Sequence, residues 1–138
     1  SGCDVCVPRR EDSLFRRSYP IEQYHSEQFA NLYLDALGAT VGLPPLDWTF
    51  GPVGLRVSAA EHFLQCDGEL WDAQIVPFVR AARWAGARVD VLQVGYSHPA
   101  AMKREEEGVP VWSEKRLAQL QFLFKHVAGA LREESPPR

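Results

Sequence analysis

Two residues carry the clearest chemical signal in the chain, Glu61 and His98. Each follows a short apolar stretch closed by turn-forming residues, Val53 to Ala59 before the first and Val89 to Val94 before the second. A carboxylate that accepts an imidazole N–H fixes the ring's tautomer and stabilises the imidazolium. The histidine can then take a proton from a nucleophile and return it to a leaving group. Asp67 is the alternative acid, at a position where a helix cap belongs. Gly95-Tyr96-Ser97-His98-Pro99 approaches a Gly-x-Ser-x-Gly elbow, with Pro99 in place of the last glycine. A nucleophile at Ser97 would need an acid and a base after it. The later histidine, His126, falls within an amphipathic helix, so Ser97 is set aside. His62 reads as a rim or exposed group, and His25 and His126 as helix-surface groups.

Cys3-x-x-Cys6 invites a metal or redox reading. Zinc needs more donors, and Cys66 with one histidine is all that could complete the set. A redox pair belongs at a helix start after a strand, which the first six residues do not offer. No cofactor and no metal is expected, and no glycine-rich phosphate loop is present.

The elements that must position these residues follow from periodicity and breakers. Residues 1–20 read as an irregular surface segment or lid. Ile21, Tyr24, Phe29, Leu32, Tyr33 and Leu37 recur at helical spacing, and the spacing predicts a helix over Ile21–Leu37, ended by Gly38. The Gly- and Pro-rich run to Gly54 is a loop, pinned by Trp48 and Phe50. Val53–Ala59 reads as a strand. Glu69–Ala85 reads as a helix that Asp67 or Gly68 caps, kinked or started late by Pro77 and stopped by Gly86. Val89–Val94 is a β-branched strand. A short charged helix follows at 100–107, then a long helix with Ser113 as N-cap and a frayed tail from Ser135. A strand, a helix and a strand in succession form a βαβ unit with parallel pairing.

Composition bounds the class. The chain has 138 residues, 46% hydrophobic and 24% charged, with a formal net charge of −3. That is about one globular domain. The acidic balance lacks the basic footprint of a nucleic-acid binder. No apolar run is long enough for a membrane span. The sole methionine is Met102, so a processed chain, or a piece of a longer one, is expected, with the cytoplasm favoured as its compartment.

Strand, acid-bearing turn, helix, Ala85-Gly86, strand, then Gly95-x-x-His98: this order resembles the C-terminal portion of an α/β-hydrolase, in particular the hormone-sensitive-lipase-like esterases. The stretch Arg80-Ala81-Ala82-Arg83-Trp84-Ala85-Gly86-Ala87-Arg88-Val89-Asp90-Val91 carries most of the likeness, which spans residues 50 to 131. Phe63 and Gln65 depart from the pattern around the acid. The resemblance implies an α/β fold with a partial parallel sheet flanked by helices, residues 21–134 being the C-terminal half of a hydrolase domain. It implies a triad running serine, acid, histidine, with Glu61 and His98 in this chain. The serine, the oxyanion hole and the missing N-terminal half lie elsewhere, the substrate is a small carboxylic ester, and the chain alone is inactive. The rival expectation is a non-enzymatic small α/β binding or interaction module. A flavodoxin-like domain is a weaker rival, since no phosphate loop follows a strand.

Overall fold

The computed structural model describes residues 2–64 and 72–136. Asp67 and Cys66, and the expected helix cap and first turn, lie outside the described residues. The chain begins with strand β1, Val5–Arg10, and helix α1, Asp12–Ser18. Helix α2 spans Ile21–Gly38 and is followed by a 3-10 turn, Ala39–Val41. Then come β2, Gly54–Leu55, a second 3-10 turn, Val57–Ala59, and α3, Glu61–Leu64. Helix α4 is Asp72–Trp84, β3 is Val89–Val94, α5 is Ala100–Glu106 and α6 is Pro110–Arg132. The class is α/β, as composition and order imply.

The sheet has the order β2-β1-β3. β1 pairs in parallel with β3 over six residues, from Val5 opposite Val89 to Arg10 opposite Val94. β2 pairs antiparallel with β1 through only two residues. Two expectations change here. Residues 1–20 hold the central strand and a helix, not an irregular excursion. Val5 and Val7 are buried on one face, and that alternation is the physical reason a strand forms. Pro8 obscures it in the sequence, because proline removes a ladder donor. The Val5 N–H points to β3, bonding Arg88 O, while the Arg10 N–H points the other way, to Asp47. By alternation, the Pro8 nitrogen also faces away from β3, on the side where β2 has already ended. The missing N–H therefore breaks no bond.

The second change concerns Val53–Ala59. It is not a strand beside β3. Val57 is 94% exposed, and the backbone turns into the 3-10 helix directly after Arg56. Leu55 and Val57 are both outward, and the segment is held to the core only at its ends, by Val53 and Ala59.

The core is one cluster. Val5 and Val7 meet Leu34 of α2, Ile75 and Val79 of α4, and Leu123 and Val127 of α6. Pro77 is fully buried within α4. Gly86, with φ of 59°, ends α4, and the Ala87 N–H reaches back to Ala81 O at 3.0 Å, which satisfies a carbonyl of the last turn. Trp48 does pin its loop. Its indole N–H donates to Asp35 Oδ1 at 2.7 Å and its backbone N–H to Asn31 Oδ1 at 2.9 Å. Gly38 makes this seat, since a Cβ there would lie 2.9 Å from the indole. The last helix begins three residues earlier than Ser113, at Pro110, because proline in the first turn loses no helical bond.

Helix α2 has the expected span, but four of the apolar residues expected to face inward face out. Phe29 is 56% and Leu32 71% exposed, and Ile21 and Tyr33 are also exposed. Beside the buried Ala30 and Leu34 runs a polar stripe: Gln23, Glu27, Asn31 and Asp35 recur every four residues, on one helix face. This stripe is what builds the site.

Candidate functional site

The polar stripe of α2 meets the last residue of β1. Arg10 is buried, and its guanidinium lies 3.6 Å above the Phe15 ring, with Tyr19 and Phe50 also within 5.0 Å. Arg10 Nε donates to Asp47 Oδ2 at 2.7 Å and Nη2 to Asp47 Oδ1 at 2.8 Å, a bidentate fork. The same Nη2 donates to Glu27 Oε2 at 2.7 Å and to Thr49 Oγ1 at 3.2 Å. Asn31 Nδ2 donates to Asp47 Oδ1, and Gln23 Nε2 to Glu27 Oε1. Burial acts against the Arg10 charge, but Asp47 and Glu27 outweigh it and hold the guanidinium more firmly protonated than usual. Burial likewise pushes the Asp47 carboxyl up, and the Arg10 hydrogen bonds and charge override it, so its pKa lies below the ordinary carboxylate value. Burial raises Tyr19.

Gln23 links this network to His98. Arg116 of α6 donates through Nη2 to Gln23 Oε1 and to Glu106 Oε2, and through Nη1 to Trp112 O. Glu106 Oε1 lies 4.0 Å from His98 Nε2. The imidazole stacks on Tyr19 with centroids 4.6 Å apart, and the His98 backbone N–H donates to Ser18 Oγ at 3.0 Å. The side chains of His98 and Arg116 are nine-tenths or more buried, yet His98 Nε2 and Arg116 Nε each lack a hydrogen-bond partner. Both side chains line a cavity of about 210 Å³, with Glu27, Glu106, Trp112 and Lys115. The cavity stands at the carboxyl ends of β1 and β3, where ligands gather in open α/β sheets.

His98 is therefore where its strand was expected to put it, but Glu61 is not beside it. Glu61 opens α3, is 74% exposed in its side chain, and has His62 Nε2 at 4.0 Å. It shares a concavity with Asp4 and Ala87, the residues that lead into β1 and β3. Glu61 thus stands at the amino ends of the parallel pair and His98 at the carboxyl ends, about 20 Å of strand apart. The cause is β2: running antiparallel to β1, it delivers its carboxyl end to the opposite rim. The carboxylate that faces His98 is Glu106, from the run Glu105-Glu106-Glu107, whose charge density suggests a solvated face.

Ser97 is exposed, in the non-helical link between β3 and α5. His126 stacks on Phe122, and His25 is exposed against Tyr24. Cys6 is a free thiol. Burial, then Cys3 and Asp90, raise Cys6, which disfavours the reactive thiolate. Among the described residues no three histidine, cysteine or acidic side chains are grouped to hold a metal ion.

Sequence reasoning misses Arg10, Glu27, Asp47, Glu106 and Arg116. A signal for Glu27 exists: a polar residue every fourth position along a helix is as regular as an apolar stripe. Arg10 and Asp47 carry no local mark. No helix of the described residues is long and apolar enough to cross a membrane. No protein-family model matches the chain, and no curated protein or solved structure is significantly similar to it.

Proposed function

We propose that this chain is a small α/β ligand-binding domain whose site is the cavity beside His98. The observation that carries the reading is the pair of buried side chains, His98 and Arg116, that line the cavity with one unpartnered nitrogen each. Buried polar groups in folded proteins are satisfied in the great majority, and an exception at a cavity points to a missing partner. The charges of the lining are matched, Glu27 and Glu106 against Lys115 and Arg116. The ligand is therefore an uncharged or zwitterionic polar molecule. At about 210 Å³ the cavity is below the roughly 300–1,000 Å³ of pockets for drug-sized ligands, so the ligand is small.

The test is ligand-observed NMR with a panel of small neutral and zwitterionic polar compounds, read together with the His98 imidazole signal. At least one compound is expected to shift that signal and to lose binding in Gln119→Trp, which fills the cavity. A panel that leaves His98 untouched overturns the proposal.

The second reading is ester hydrolysis, as the α/β-hydrolase resemblance implies. One observation favours it: a carboxylate does face His98 at the carboxyl rim. In this reading Glu106 takes the orienting part expected of Glu61, and the serine comes from outside this chain. Because the serine is outside this chain, the chain alone is expected not to turn over p-nitrophenyl acetate. His98-dependent turnover that appears when a serine-bearing partner half is added supports the reading, and its absence from that mixture removes it.

A further inference from the structure

A second, larger cavity flanks the carboxyl end of β1 on the other side of the Arg10 network. Its volume is about 490 Å³, within the range of small-molecule pockets. Two guanidinium groups border it, Arg9 from the end of β1 and Arg16 from α1. Both are exposed, and among the described residues neither has a carboxylate within 4.0 Å. The buried charges at the floor are already spent on each other, since Arg10 is forked onto Asp47. The one other acid on the wall, Asp12, accepts through Oδ1 from Tyr24 Oη and from Gln28. Asp12 keeps its negative charge in these bonds, so Arg9 and Arg16 leave the wall with a single net positive charge. Beside the polar Gln28 and Asn31, the wall has an aromatic and aliphatic part: Phe15 and Tyr24 in edge contact at 5.1 Å, and the outward Leu32.

We propose that this cavity is a binding site for a small phosphate ester that carries a flat ring. A doubly charged phosphate matches two forked guanidinium groups better than a singly charged carboxylate does. The ring has an aromatic and aliphatic wall to lie on. The site is independent of the cavity beside His98, and the two proposals stand or fall separately.

The experiment is calorimetric titration of the whole chain with phenyl phosphate, inorganic phosphate and benzoate at constant ionic strength. Phenyl phosphate is expected to bind the most tightly of the three. Arg9→Gln combined with Arg16→Gln should weaken it by at least about tenfold, the effect of losing one charge-assisted hydrogen bond. Arg104→Gln, an exposed arginine on α5, should leave it unchanged. Independently of any variant, a nuclear Overhauser contact between the phenyl protons and the Leu32 methyls is expected in the unmodified protein. The proposal is overturned if phenyl phosphate does not bind, if benzoate or inorganic phosphate binds as tightly, if Arg104→Gln weakens binding as much as the double variant, or if the Leu32 contact is absent.

Discussion

The two ends of the parallel pair β1 and β3 use the same residue types to opposite effect. At the amino end, Asp4 meets Arg56 at 3.6 Å, Arg88 meets Asp90 at 3.9 Å and Glu61 meets His62 at 4.0 Å. Apart from the largely buried His62, these side chains are exposed to water, and pairs of that kind contribute about 0–1 kcal/mol. At the carboxyl end, Arg10 is forked onto Asp47 and reaches Glu27, at 2.7–2.8 Å and out of water. Charge alone therefore says little about where chemistry can occur. Desolvation turns the carboxyl end into a rigid, specific arrangement, and water leaves the amino end soft. The helices create this difference: α1 and α2 close over Arg10, whereas among the described residues the short α3, its 3-10 turn and the end of α4 stand near Asp4.

The largest break of this contrast is Asp47→Ala. It leaves the buried Arg10 charge short of its main partner, and removal of one member of a buried pair costs about 3–5 kcal/mol. Urea unfolding at neutral pH should show a loss of that order, and a loss below about 1 kcal/mol, the value of an exposed pair, would mean that the carboxyl end is no stiffer than the amino end.

Acid sharpens the same point. The folded pKa of Asp47 lies below its unfolded value, so its stabilisation is complete above the ordinary carboxylate pKa and disappears as pH falls through the depressed folded value. The stability gap between the natural chain and Asp47→Asn should be widest near neutrality and close as pH falls below the ordinary carboxylate value and through the depressed folded one. Glu11 is also depressed, by its hydrogen bonds with Ser13, but it titrates in both proteins and cancels from the gap. A gap that does not change with pH contradicts the pairing.

Smaller effects follow. Glu106→Gln removes the charge from the hydrogen bond to the buried Arg116 and should cost about 1.5–3 kcal/mol by the same unfolding measurement. Glu61→Ala, at the opposite end, should change stability by no more than about 0.5 kcal/mol. It should also leave the His98 imidazole signal in place. A Glu61→Ala variant that moves the His98 signal would bring the two ends together in solution and restore the expected acid–histidine pair.

Much of the framework is legible in the sequence. The strand Val89–Val94 has the expected ends, α2 and α5 agree to one residue, and Gly86 stops α4 through a positive φ that glycine adopts freely. Parallel pairing of β3 is also expected from the βαβ order, but its partner is β1 and not the segment Val53–Ala59. Val5 and Val7 make too short a pattern to stand out beside Pro8 and two arginines. The inward face of α2 escapes sequence reasoning because apolar residues are assumed to be buried. Helical spacing shows that a face exists, but it does not say which face the neighbours cover.

The sequence by itself determined the α/β class, the strand that ends before His98 and the turn that carries it, because hydrophobic period and breaker residues act within a few positions of the chain. Only the tertiary structure decided which carboxylate His98 meets. Glu61 and Glu106 are the same residue type, and nothing local to either marks it as the partner. What separates them is the direction in which β2 runs, and strand direction is set by long-range packing around Val5 and Val7. The burial of Arg10 was decided in the same way. Its charge becomes tolerable inside the protein once Asp47 and Glu27, which lie far along the chain, close on it together.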